Sequence, residues 1–166
     1  GSVVRNFLEL VKDCLSEVRE IMPWEMAARV AANPDLLIVD VREPYEYDAM
    51  HIEGSLNVPR GILESACEWD YEETVPELVN AREREIVVVC RSGYRSILAT
   101  HSMLVLGYNN VVSLKTGIRG WKDNEQPLFD KDGGSVDLDD ADVYFTPNLR
   151  PEQMRPAGST LGVRPK

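Results

Sequence analysis

Three kinds of residue are scarce in this chain, and each scarcity excludes something. Only three of its 166 residues are cysteine: Cys14, Cys67 and Cys90, far apart. An odd, sparse set does not make a disulfide framework. It reads as free thiols in a reducing compartment, so a cytoplasmic setting is expected. Basic residues are outnumbered, 18 Lys and Arg against 28 Asp and Glu, for a formal net charge of −10. Phosphate contacts need a basic surface, so nucleic acid is not an expected partner, and an anionic membrane is not one either. There are only 2 histidines, His51 and His101, and no Cys and His pair has ligand spacing. No metal and no cofactor is called for. Long hydrophobic runs are also missing, since none approaches the ~20 residues of a membrane span. The chain opens on Gly1-Ser2 without Met, which reads as an expression scar. The natural N-terminus and its targeting information are therefore expected to be missing.

What is present reads as one domain with a sizeable core. Apolar residues at helical spacing (Val4, Phe7, Leu8, Val11, Leu15, Val18) predict an amphipathic helix over 3–18, with Cys14 beside its stripe. Pro23 opens a second helix, and "NPD" at 33–35 breaks it. The unalternated runs at 36–41 and 86–89 predict strands covered on both faces, and 110–114 predicts another short strand. A short helix is expected within 42–50, a turn and short strand within 51–59, and partly helical structure across 64–84. A helix from about Arg95 to Leu106 is stopped by Gly107, and 117–128 reads as a loop with a short helix around Trp121. Strand and helix alternate, so the fold class is α/β with a mainly parallel sheet. After Leu128 the texture changes. The tail, 129–166, holds four of the ten prolines and reads as extended or partly disordered, with "DVYF" a candidate for packing. Asp130, Asp132 and Gly134 resemble the start of a calcium loop. Ser135 stands where that loop needs Gly, and Ala141 where it needs Glu, so calcium is rejected.

The stretch "IVVVCRSGYRS" carries the chemistry. A buried strand ends on Cys90, at the edge where parallel sheets bind ligands. A helix starts about five residues later, so its free N–H groups and positive dipole end face the sulfur. Gly93 permits a tight turn, and small Ser92 and Ser96 keep it uncrowded. Successive loop N–H groups make a nest for an anion, and Arg91 and Arg95 add positive charge. All three effects favour thiolate over thiol. A thiolate hydrolase would want a His base, but His101 sits on the following helix pointing away from the loop. For His51 a structural hydrogen-bonding role is expected. Phosphoryl transfer and sulfur transfer remain. Four residues separate Cys90 from Arg95 where tyrosine-phosphatase-like loops have five, and the tighter ring suits a single sulfur atom on the cysteine.

These residues resemble the rhodanese family of thiosulfate and persulfide sulfurtransferases. "CRSGYRS" is similar to that family's six-residue active loop followed by Ser. "LLIVDVREPYEYDAMHIEGSLNVPRG" and "LGYNNVVSLKTGIRGW" are similar to its opening and closing signatures. The resemblance covers roughly 20–128, leaving 1–19 as an N-terminal helical extension and 129–166 as the tail. Met50 replaces the usual Gly before His51, and Thr116 replaces the first of two glycines. The resemblance implies a three-layer fold with a mainly parallel central sheet. It implies that Cys90 takes a sulfur from thiosulfate or a related anionic donor, becomes a persulfide, and yields it to cyanide or a thiol. Arg91, Ser92, Gly93, Tyr94, Arg95 and Ser96 would bind the donor, the two arginines holding its sulfite part. Asp40 and Arg42 would brace the loop as an ion pair. Cys67 is expected to be buried and inert, its alternative being a resolving thiol. The alternative function is a carrier or sensor that passes sulfur to a protein acceptor, with the N-terminal helix and tail as docking elements.

Overall fold

The computed structural model describes residues 4–159. The ends of the first predicted helix and of the tail, at residues 3 and 160–166, lie outside them. Five parallel strands form the central sheet in the order β1-β5-β4-β2-β3. They are β1 (Glu20–Ile21), β2 (Leu37–Asp40), β3 (Leu56–Asn57), β4 (Ile86–Val89) and β5 (Val111–Leu114). The three apolar runs became β2, β4 and β5, buried at every position because helices cover both faces.

The sheet's period of two divides the core. Ile86, Val88 and Cys90 face one layer with Leu63, Ala66, Leu78 and Met103. Val87 and Val89 face the other, with Met26, Ile118, Trp121 and Phe145. The first layer is covered by α4 (Leu63–Ala66), α5 (Pro76–Val79) and α6 (Arg95–Val105). The second is covered by α2 (Pro23–Ala32), α7 (Gly117–Asp123) and α8 (Leu138–Phe145), with α3 (Pro44–Ala49) in the β2–β3 connection. Pro23 and Pro44 each sit in a first turn, where a missing N–H costs nothing. Gly107 ends α6 with φ +92°, the left-handed geometry that glycine adopts freely.

Three expectations change. The first helix, α1, is shorter, spanning Phe7–Leu15. Asn6 caps it by accepting the Glu9 N–H at 2.9 Å, and Val4 is left exposed. Val18 still packs with Val11 and Ile97 although it has left the helix. The short helix expected around Trp121 spans Gly117–Asp123, so it opens the segment 117–128 and the loop follows it. The tail is not extended throughout. Phe129 bridges His51 and Ser135 in antiparallel fashion, and α8 buries Ala141 and Phe145. Leu138, Ala141 and Phe145 make a stripe only two turns long, set among four aspartates, too short for periodicity to reveal. Asp130 is an intra-turn acceptor for the Asp132 and Gly134 N–H groups, both at 2.9 Å. No group of metal-holding side chains occurs among the described residues.

Candidate active site

Cys90 lies just beyond β4 at the carboxyl edge of the sheet and is 1% exposed. Its Sγ accepts the Gly93 N–H at 3.1 Å and the Ser96 N–H at 3.3 Å. Gly93 turns the loop back with φ +93°, and a Cβ there would lie 3.0 Å from the Thr116 nitrogen. Ser96 is in the first turn of α6, so the second donor is one of that helix's free N–H groups. The Ser96 hydroxyl is 3.3 Å from Sγ and 2.7 Å from the hydroxyl of Ser113 on β5. The sulfur thus has two backbone donors and, beside it, a hydroxyl that is itself bonded to Ser113. Ser113 escaped sequence reasoning. Its signal was a lone polar residue inside the buried run of β5.

The loop's far side is clamped by α7. The Ile118 N–H donates to the Cys90 carbonyl at 2.8 Å and the Arg119 N–H to the Arg91 carbonyl at 3.1 Å. These bonds engage the loop's carbonyls from the α7 side, while the Gly93 N–H of the loop and the Ser96 N–H of α6 meet the sulfur. The approach depends on Gly117, where a Cβ would lie 2.5 Å from the Arg91 carbonyl. The two departures in the signatures differ in consequence. Met50 has extended backbone, φ −168°, and its side chain fills the second core layer. Thr116 has φ +70°, a left-handed conformation costly for a β-branched residue.

Neither loop arginine is free. Arg95 gives Glu46 on α3 two parallel hydrogen bonds, both 2.9 Å. Burial pushes the Glu46 carboxyl up, but the Arg95 and Glu43 N–H bonds and the charges of Arg95 and Arg42 outweigh it and hold it below the usual glutamate range. The Glu46 hydrogen bond in turn raises Arg95. The Arg91 guanidinium lies over the rings of Phe145, at 5.7 Å, and Tyr144, at 6.0 Å, and donates to the Tyr144 carbonyl at 3.5 Å. "DVYF" packs against the domain as expected from the sequence, with Phe145 in the core, but nothing there pointed to Tyr144, Phe145 or Glu46 as partners of the loop, because these contacts join distant segments.

Asp40 and Arg42 form a wholly buried ion pair, with Arg42 Nη2 2.8 Å from Asp40 Oδ2. Nη2 also donates to the Met50 carbonyl at 2.7 Å, pinning the C-terminal end of α3. The pair stands beside the Cys90 loop electrostatically, Arg42 acting on Glu46 and Asp40 on Arg95. Tyr94 is half-exposed and meets Phe7 of α1 edge-on, centroids 6.1 Å apart. Phe7, Ser92, Tyr94 and both arginines line a cleft of about 200 Å³ at Cys90. His51 bonds the Tyr47 carbonyl through Nδ1 at 2.8 Å and stacks on the Tyr47 ring, while His101 pairs with Glu17. Neither histidine lines the Cys90 cleft. Cys67 is fully buried, and that burial pushes its thiol up.

A family model described as Rhodanese-like domain matches residues 23–124. The chain belongs to that family. YrkF of Bacillus subtilis, named as a sulfur carrier, is 32% identical over 125 residues, covering 73% of this chain and 62% of its own length. This chain therefore spans less than two thirds of that relative. A sulfurtransferase of Allochromatium vinosum is 29% identical over 116 residues, covering 70% of this chain and 99% of its own. The solved human single-domain sulfurtransferase TSTD1 superposes with a TM-score of 0.58 at 26% identity, covering 66% of this chain and 99% of its own. The rhodanese match begins at Pro23, the first residue of α2, so α1 and α8 lie outside it.

Proposed function

We propose that this rhodanese-domain protein moves sulfane sulfur through a persulfide on Cys90. A donor's outer sulfur is taken by the Cys90 thiolate, rests in the nest made by the Gly93 and Ser96 N–H groups, and passes to a thiophilic acceptor. The supporting observation is the sulfur itself, buried at a strand end with two backbone donors and the Ser96 hydroxyl around it. Thiosulfate or a related anion serves as donor, and cyanide or a thiol as acceptor, with Ser92 and Tyr94 lining the approach. The reducing cytoplasm is the setting this reading takes.

A second reading is favoured by one specific observation. Both loop arginines already have partners, Glu46 and the α8 rings, so an inorganic anion competes with internal contacts for them. That suits a carrier that loads slowly and delivers to a protein or small thiol. Thiocyanate release from thiosulfate and cyanide separates the two. Rapid multiple turnovers, abolished in Cys90→Ala, support the enzyme. Loading without sustained turnover supports the carrier. Unchanged thiocyanate release in Cys90→Ala overturns both.

A further inference from the structure

A second cleft, of about 350 Å³, adjoins the one at Cys90 and shares Ser92 and Tyr94 with it. Its size falls in the range of small-molecule sites. Gly93, whose N–H meets the sulfur, lies in its wall. The apolar part is Leu8, Val11 and Leu15 of α1 with Ile97 of α6. Lys12 and Lys115 stand on its rim, and both are exposed. Neither ammonium has an ion pair or hydrogen bond among the described residues. Glu20 is the one carboxylate lining the cleft, leaving an excess of positive charge in a chain of net charge −10. Three of the apolar residues and Lys12 come from α1, which lies outside the rhodanese match.

We propose that this cleft holds the body of the sulfur acceptor, and that the acceptor is a small thiol with an apolar carbon body and a carboxylate. The proposal rests on the persulfide reading above. The apolar wall takes the carbon body, since a polar peptide would leave it unused. The carboxylate meets Lys12 and Lys115, which are unpaired where Arg91 and Arg95 are not. The thiol end passes Tyr94 into the Cys90 cleft. There the acceptor sulfur attacks the outer sulfur of the persulfide and its thiol proton moves to that sulfur. The Sγ–S bond breaks with its electron pair left on Cys90. The acceptor leaves as R–S–SH and Cys90 returns as thiolate.

The test loads the full chain with sulfur, confirms the gain by intact mass, and follows single-turnover discharge. Three probes are compared at equal thiolate concentration: ω-mercapto-octanoate, ω-mercapto-octanol and mercaptoethanol. The octanoate should discharge the protein roughly tenfold or more faster than mercaptoethanol, with the octanol between them. Lys12→Ala with Lys115→Ala should slow the octanoate about three- to tenfold and leave the octanol unchanged. Unsubstituted octanoate, which has no thiol, should compete with ω-mercapto-octanoate, and a failure to compete overturns the acceptor site. Equal rates for all three probes, or equal slowing of all three in the lysine variant, overturn the acceptor site while leaving the persulfide reading standing. A chain that never gains sulfur overturns both.

Discussion

The Cys90 sulfur is met by hydrogen-bond donors because its neighbours supply them and the backbone is forced to present them. Thr116 shows the cost of that forcing, since it holds φ +70° beside the loop where glycine would be unstrained. Thr116→Gly should raise stability by roughly 0.5–1 kcal/mol, the relief of left-handed strain less the entropy glycine loses on folding. Urea denaturation checks this, and a loss of stability would show that the threonine side chain contributes more than its backbone costs. Glu46 makes a pH-dependent case. Its carboxyl is held below its ordinary value, so the folded chain binds fewer protons there than the unfolded chain. Its contribution is full above about pH 4.3 and is lost as pH falls through the lower folded value. Glu46→Gln should cost about 1–2 kcal/mol at neutral pH and less at ~pH 3, flattening that part of the stability profile. A constant cost across the range would mean that the carboxylate's charge is not what matters. At this scale the sequence was legible where neighbours in space are neighbours in sequence. Cys90, Gly93 and Ser96 lie within one turn of chain, as do Asp40 and Arg42. Glu46 lies 49 residues from Arg95, so its grip on that arginine was invisible.

Among elements, buried parallel strands were the most readable, because cover on both faces leaves an unbroken apolar run. Helices at the ends of the chain were the least readable. α1 lost its last predicted turn to chain that packs without being helical. α8 looked like acidic tail because only Leu138, Ala141 and Phe145 carry its stripe. Yet α8 touches the site, since Phe145 is 1% exposed in the second core layer and its ring lies beneath Arg91. Phe145→Ala should destabilise the protein by about 3 kcal/mol and release Arg91 from its ring contact. Thermal or urea unfolding reads the first effect. The apparent KM for thiosulfate reads the second and should fall, because a freed arginine is available to the donor. An unchanged unfolding midpoint would show that α8 is a detachable tail.

For the whole molecule, acidity and the small number of histidines and cysteines narrowed the chemistry before any motif did. The loop then pointed to Cys90 as the reacting group, with no histidine beside it. The structure adds what no single stretch of sequence contained: a sulfur reached by donors from its own loop and from α6, with β5 behind Ser96 and α7 clamping the carbonyls. The central claim is that sulfur rests on Cys90 and nowhere else. Intact mass of the chain after thiosulfate, then after cyanide, tests it most directly. The predicted result is a gain of one sulfur atom that cyanide removes, absent in Cys90→Ser and retained in Cys67→Ala. A Cys90→Ser chain that still gains and loses the sulfur would contradict it.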